Sequence, residues 1–221
     1  MTNFINKIAG PEFQSSPFFV NIHVTIVLYN NLIKLPKRST KMNYAELKKN
    51  DIANGPGVRV SLFVSGCLHH CEDCFNEIAW DFAYGKEFNE DVWEIIFSAV
   101  NYPRIRGLSL LGGEPFEVKN QRGLLPFMRK FKEKFPDKDV WCYSGFTYEE
   151  LTGKIESRAF CDATEELLSY MDILVDGKFE KEKRNIMLRF RGSENQRIID
   201  LKRTRESGEI VLWEYDEPTY N

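Results

Sequence analysis

The sequence predicts an α/β fold built on a parallel sheet, and two observations carry that expectation. Short β-rich apolar runs alternate with longer segments of helical period from Val58 onward. No repeat with a period of about 20 to 50 residues and no low-complexity tract occurs, which excludes a solenoid. In chain order, Val58-Arg59-Val60-Ser61-Leu62-Phe63-Val64 reads as a strand. Asn89 is placed to cap a helix with Glu90 and Asp91 in its first turn and Val92, Ile95, Ile96 and Ala99 on one face. Gly107-Leu108-Ser109-Leu110-Leu111 is a buried-strand run ending at Gly112-Gly113, and Leu124, Met128, Phe131 and Phe135 follow at helical spacing. Val140-Trp141-Cys142-Tyr143 and Ile173-Leu174-Val175 are two more short strands, separated by an acidic helical stretch from Ala163 to Tyr170. From Met42 onward there are 180 residues. A full eight-unit barrel takes roughly 250, so the expected architecture is a partial (β/α) barrel of about five or six units.

With 221 residues, 43% of them hydrophobic and 29% charged, the chain suits one generous domain better than two. Thirty Lys and Arg against thirty-three Asp and Glu give a net charge of −3, without the basic excess of a dedicated nucleic-acid binder. Five of those basic residues and one of the acidic ones fall in residues 1–41, so residues 42–221 carry 25 basic against 32 acidic, a net −7. This change in composition marks residues 1–41 as an extension outside the functional domain, which spans 42–221. Within the extension, Val20 to Ile26 alternates like a strand, and its apolar run is too short and too interrupted by Asn21 and His23 to cross a bilayer. It also lacks the layout of a secretory signal. Five cysteines, three of them within eight positions, fit a reducing compartment and a metal or redox site, so a cytoplasmic location is expected.

Those three lie in Ser65-Gly66-Cys67-Leu68-His69-His70-Cys71-Glu72-Asp73-Cys74-Phe75-Asn76, a C-x3-C-x2-C run on the loop that leaves the first strand. Thiolates are soft donors for zinc or iron–sulfur clusters. A 4Fe-4S cluster bound only by protein needs four, so three would leave one iron open for chemistry. The alternative is a structural zinc held by the three cysteines and either His69 or His70, in a binding module without catalysis. Cys142 and Cys161 have no C-x-x-C partner and read as structural thiols.

The cysteine spacing, followed about forty residues later by Gly112-Gly113-Glu114-Pro115, resembles the radical S-adenosylmethionine superfamily. Six further stretches narrow the resemblance. They are Met42-Asn43-Tyr44, Asp51 to Arg59, Cys74-Phe75-Asn76, Tyr143-Ser144-Gly145-Phe146, Val175-Asp176-Gly177-Lys178-Phe179 and Gly192 to Arg197. Together they are similar to the family of proteins that activate anaerobic ribonucleoside-triphosphate reductases, from Met42 to about Leu201. The resemblance implies a radical S-adenosylmethionine type of partial barrel, with Cys67, Cys71 and Cys74 binding one 4Fe-4S cluster. It implies S-adenosylmethionine as co-substrate, chelating the fourth iron, a flavodoxin-type electron donor, and the reductase large subunit as the partner that receives a glycyl radical. Activation of another glycyl-radical enzyme, or radical chemistry on a small molecule, is the alternative within the superfamily.

The same resemblance assigns S-adenosylmethionine contacts to Asp73, Cys74 and Phe75 near the adenine, to Gly112, Gly113 and Glu114 near the methionine, and to Ser144, Asp176 and Lys178. Each has a plainer alternative. Phe75 fits a core position, and Gly112-Gly113 fits a strand-end turn. Asp176 and Lys178, on one strand face by the period of two, fit a structural salt bridge. Asn54-Gly55-Pro56-Gly57 is expected to turn beside the cofactor, or simply to turn. Gly192 to Arg197 is a polar loop before the last strand, which either closes the site or touches the partner.

Overall fold

Among the described residues, seven strands form one mixed sheet in the order β3-β1-β2-β4-β5-β6-β7. The computed structural model describes residues 41–214. Residues 1–40, with the Val20–Ile26 alternation, and residues 215–221 lie outside the described residues. The four central strands, β2 (Val58–Val64), β4 (Ile105–Gly112), β5 (Asp139–Tyr143) and β6 (Ile173–Asp176), are parallel. Three helical crossovers join them. The first is α1 (Glu90–Val100), the second α2 (Val118–Lys134), and the third the short pair α3 (Tyr148–Leu151) and α4 (Thr164–Ser169). This is the α/β fold with a parallel core that the alternation predicts. It has four parallel strands among the described residues, where five or six βα units were expected.

Both flanks are antiparallel. On one side β1 (Asn43–Asp51) pairs with β2 and with the two-residue β3 (Lys86–Glu87); on the other, β7 (Arg197–Asp200) pairs with β6 before α5 (Leu201–Ser207). The β1 segment, NYAELKKND, has no apolar run and was not expected as a strand. Its exposed Glu46, Lys48 and Lys49 protect what is nearly an edge strand from pairing with other chains.

The period of two divides the sheet into two buried faces. Val60, Leu62, Val64, Leu108, Leu110, Val140, Cys142, Leu174 and Ile199 point into the helix-covered core. There Phe88, Trp93, Phe97, Phe127 and Phe131 pack α1 and α2 onto the strands, with ring centroids 5.2 to 6.0 Å apart. Asn89 caps α1 as expected, its side chain accepting from the Val92 N–H at 3.2 Å. Ile95 is a correction: it is 42% exposed, because Trp93 and Phe97, one turn apart, carry the buried face instead. On the other face Trp141, Ile173 and Val175 form a smaller apolar cluster with Tyr143, Phe190, Ile198 and Trp213.

That second face also buries a charge. Arg59 is fully buried; it pairs with Asp139 and donates to Ser109 Oγ at 2.8 Å and to the Leu108 carbonyl at 2.9 Å. Burial lowers the guanidinium pKa and the Asp139 charge opposes this. Arg59 and Ser109 also hold the Asn54–Gly57 turn, through the carbonyls of Pro56 and Asn54. The turn precedes β2 whereas the cysteine loop follows it, which places the two at opposite ends of a seven-residue strand.

At the C-terminal end of β6, Arg197 pairs with both Asp176 and Glu149. The Asp176 carboxylate is buried and also accepts the Tyr148 N–H at 2.8 Å. β6 ends at Asp176, and Gly177 turns the chain at φ +99°. Asp176 and Lys178 therefore do not share a strand face, and the carboxylate's partner is Arg197 instead.

Two outcomes follow from these buried charges. Removing the carboxylate in Asp139→Ala strands a buried cation and is expected to lower unfolding stability by about 3 kcal/mol, read as a lower denaturant midpoint at constant slope; an unchanged midpoint contradicts the pairing. Hydrogen bonds from Arg197 hold the Glu149 carboxyl below its ordinary pKa. A carboxyl depressed in the folded state contributes stability that is complete above the unfolded value and lost as pH falls through the folded one. Glu149→Gln is thus expected to be less stable than the parent at neutral pH and to lose less stability on acidification below about pH 4. Parallel stability curves for the two proteins would refute the assignment.

Candidate functional site

The C-terminal ends of the parallel strands carry the chemistry-bearing residues, as in other α/β folds. The cysteine loop leaves β2 at Ser65 and is pinned along its base by backbone bonds. The Gly66 N–H donates to the Ala79 carbonyl at 2.7 Å and the Cys67 N–H to the Trp80 carbonyl at 3.1 Å, on a single 3-10 turn, Glu77–Trp80. Gly66 has φ +101°, and a Cβ there would lie 2.1 Å from the Phe82 ring, so no other residue fits. Within the loop the Cys74 N–H donates to the Cys71 carbonyl at 3.2 Å. His70 and Asp73 both sit in the left-handed region, at φ 46° and 58°. Such conformations persist only where the surroundings impose them.

The end of β4 is bonded directly to this loop. The Gly113 N–H donates to the Val64 carbonyl at 2.7 Å and the Glu114 N–H to the Gly66 carbonyl at 2.8 Å. A Cβ on Gly112 would lie 2.6 Å from Phe63 Cα, and one on Gly113 would lie 2.6 Å from the Gly66 carbonyl oxygen. The paired glycines let the two strand ends meet.

The Glu114 side chain then turns inward and is 1% exposed. It accepts from the Phe116 N–H at 2.8 Å, Ser144 Oγ at 2.9 Å and the Gly145 N–H at 2.7 Å, and lies 3.1 Å from His69 Nε2. One carboxylate thereby joins the cysteine loop, the β4 end and the β5 end. His69 packs on Phe146 with centroids 4.4 Å apart, and His70 meets Trp80 edge-on at 4.6 Å. Among the described residues no three His, Cys, Asp or Glu side chains converge as a single-metal site requires.

Sequence reasoning missed two residues here. Glu117, 4% exposed, accepts from the Leu68 N–H at 3.0 Å and pairs with Arg158 at 2.8 Å. Asn120, fully buried, donates to the carbonyls of Gly66 and Glu114 at 3.2 and 2.9 Å. Their positions three and six residues after Glu114, at the start of α2, were the available signal.

Cys67 is buried, while Cys71 and Cys74 are partly exposed. Burial pushes the Cys67 thiol up to about 12, and the charges of Glu114, Glu117 and Cys71 add to the rise. Burial also raises Cys71, opposed by the Lys178 ammonium and by the Phe179 N–H. Cys67 and Cys71, both raised by burial, need positive metal ions to become thiolates, and a cluster of four irons meets that need. The donor set therefore fits the expected group. Lys178 is set beside Cys71 from the β6 end, where Gln196 donates to the Gly177 carbonyl at 3.0 Å and Asn195 to the Lys178 carbonyl at 2.8 Å.

The remaining expected contacts are distributed as follows. A cleft of about 700 Å3 borders the loop, lined by Leu68, His69, Phe146, Asp176, Lys178 and Arg197 among others. This volume suits a small molecule. Ser144 and Glu114 are bonded to each other behind His69, and Asp73 faces Lys181 at 3.2 Å. Phe75 is 82% exposed, which rules out the core alternative for it. Cys142 is fully buried in the helix-side core, and Cys161 Sγ lies 3.6 Å from Gln121 Oε1. No helix among the described residues is long and apolar enough to cross a membrane.

Comparison with known proteins gives this arrangement a family. The family described as "4Fe-4S single cluster domain" matches residues 53–199. The anaerobic ribonucleoside-triphosphate reductase-activating protein of Pasteurella multocida (strain Pm70) is 42% identical over 159 residues, 71% of this chain and 96% of its own length. The protein of the same name from Enterobacteria phage T4 is 36% identical over 71% of this chain and 93% of its own. That of Escherichia coli (strain K12) is 34% identical over 73% of this chain and all of its own. The chain belongs to the family of anaerobic ribonucleoside-triphosphate reductase-activating proteins, built on a 4Fe-4S single cluster domain.

Proposed function

We propose that this protein activates anaerobic ribonucleoside-triphosphate reductase by reductive cleavage of S-adenosylmethionine, placing a radical on a glycine of the reductase large subunit. One observation carries the reading: three thiols sit on a strand-end loop whose base is bonded to Gly113 and Glu114 of the next parallel strand. When bound and reduced, a 4Fe-4S cluster supplies one electron to the sulfonium, so that a carbon–sulfur bond breaks and the 5'-deoxyadenosyl radical takes a hydrogen atom from the glycine Cα.

In this reading Cys67, Cys71 and Cys74 would hold the cluster, and the amino and carboxylate groups of S-adenosylmethionine would bind where no cysteine does. Asp73, Cys74 and Phe75 contribute to the adenine side, and the backbone of Gly112 and Gly113 to the methionine side. Lys178 offers an ammonium to the carboxylate from the β6 end, and Asp176 orients that end through Arg197. Glu114 and Ser144 hold the strand-end loops in place, since their polar atoms are bonded within the protein. The four parallel strands form part of a radical S-adenosylmethionine type of partial barrel, whose lateral opening admits the partner's glycine loop. The electron comes from a flavodoxin-type donor in the cytoplasm.

We also infer that residues 42–221 suffice for cluster assembly, because the 4Fe-4S family matches residues 53–199 and the matched relatives are covered over 93 to 100% of their length by 71 to 73% of this chain. The shortened chain is expected to bind the iron and sulfide of the full one on anaerobic reconstitution, and loss of iron binding would refute this.

The main test uses the protein reconstituted with iron and sulfide and reduced with dithionite. Its electron paramagnetic resonance spectrum is expected to shift on addition of S-adenosylmethionine, with 5'-deoxyadenosine formed, and Ala at any of Cys67, Cys71 or Cys74 is expected to abolish nucleoside formation. A colourless zinc protein that forms no nucleoside, or a single-cysteine variant that still does, would contradict the assignment.

A further inference from the structure

Residues 181–191, Lys-Glu-Lys-Arg-Asn-Ile-Met-Leu-Arg-Phe-Arg, contain five basic residues and one acidic, in a region of net charge −7 from Met42 onward. At the centre of this basic stretch Ile186 and Met187 are 84% and 83% exposed, the two most exposed large apolar side chains among the described residues. Exposed apolar residues scattered singly are ordinary, but two adjacent ones on a fixed support are not.

The support is extensive. The Asn185 N–H donates to the Gly192 carbonyl at 3.2 Å, and the Glu194 N–H to the Lys183 carbonyl at 2.9 Å. Asn185 Nδ2 donates to Glu194 Oε1 at 2.9 Å, while its Oδ1 accepts the Met187 N–H, also at 2.9 Å. Phe190, in the left-handed region at φ 58°, packs its ring against both Trp141 and Trp213, with centroids 5.5 and 6.2 Å away, and the two indoles also meet each other at 5.0 Å. A loop anchored at Phe190 and closed by cross-bonds keeps Ile186 and Met187 in water although burying them would be favourable.

The loop is also joined to the cysteine loop. Lys181 Nζ lies 2.7 Å from Glu72 Oε1 and 3.2 Å from Asp73 Oδ2, between Cys71 and Cys74. On the cysteine loop and the turn after it, Phe75 and Ile78 are likewise exposed, at 82% and 58%. A macromolecule that brings one of its own groups to the cysteines meets this surface on the way.

We propose that Ile186 and Met187, flanked in sequence by Lys183, Arg184, Arg189 and Arg191, are the docking tip for the reductase, which offers an apolar socket edged by carboxylates. The inference rests on the activating function above and names the surface through which that function reaches its protein substrate. An apolar centre with a charged rim is the usual layout of a transient protein interface. The rim charges raise the rate of encounter, and the apolar pair prolongs the complex.

The test measures binding and chemistry separately, with the full-length, cluster-loaded protein under anaerobic conditions. Ile186→Asp with Met187→Asp, and separately Arg184→Glu, are titrated against the reductase by calorimetry, beside a control carrying Leu at both apolar positions. 5'-Deoxyadenosine formation without reductase, driven by dithionite, is followed in parallel. Both variants are expected to raise the Kd by about tenfold or more, the Arg184→Glu effect shrinking in high salt. The Leu control is expected to bind as the parent does, and dithionite-driven cleavage is expected to be unchanged throughout. An unaltered Kd would overturn the proposal, as would a loss of cleavage without reductase, which would make the loop part of the cleavage site. A defect seen only when a flavodoxin-type donor replaces dithionite would reassign the surface to the donor. Absence of cleavage in the parent protein would instead defeat the proposed function, while the Kd comparison would still report on the docking tip.

Discussion

One buried carboxylate organises the site. Glu114 gathers two backbone N–H groups, a hydroxyl and an imidazole from the ends of β2, β4 and β5. A carboxyl group at 1% exposure is tolerable only because its oxygens are hydrogen-bonded. Those partners come from segments remote in sequence, so the bonds that satisfy the charge also fix the relative positions of three loops. The glycines before it have the same purpose: without side chains at Gly112 and Gly113, β4 can bond its backbone to Val64 and Gly66. The cysteine loop therefore rests on a rigid frame, as binding sites on loops require.

Electrostatics then give the frame a chemical bias. Glu114 and Glu117 lie near Cys67 and raise the cost of a bare thiolate there, which favours a ligand that brings positive charge. Lys178 acts in the opposite sense on Cys71, from the far side of the loop. The position of Lys178 depends on Gly177, on Asn195 and Gln196, and on the Asp176–Arg197–Glu149 pairing. The polar stretch from Gly192 to Arg197 thus earns its place by holding the β6 end. The backbone strain at His70 and Asp73 falls inside the same loop, where it is sustained by the bonds at the loop's base.

Much of this was legible in the sequence because it is written in local patterns. Apolar runs marked β2, β4, β5 and β6; Asn89 with its acidic first turn marked α1; and the cysteine spacing marked the loop. What was not legible depends on pairing between distant segments. β1 has a charged, apolar-poor sequence and becomes a strand only because β2 offers it hydrogen bonds. Asp176 looked like a partner for Lys178 at a period of two, until Gly177 turned the chain and Arg197, from the neighbouring antiparallel strand, took the carboxylate. The bonds of Glu114 within the protein, to residues up to 45 positions away, left no local trace either. In the same way the Asn54–Gly57 turn belongs to the buried Arg59 network at the opposite end of β2.

The fold therefore presents a cysteine loop, a neighbouring cleft and an apolar tip on connected segments, an arrangement suited to chemistry on a protein substrate. The central claim is that the hydrogen atom removed at this site comes from a glycine of the reductase. The most direct measurement supplies reductase labelled with deuterium at the glycine Cα and reads 5'-deoxyadenosine by mass spectrometry after activation. The account predicts one deuterium in the nucleoside for each glycyl radical formed. Unlabelled nucleoside accompanying full radical formation would contradict it.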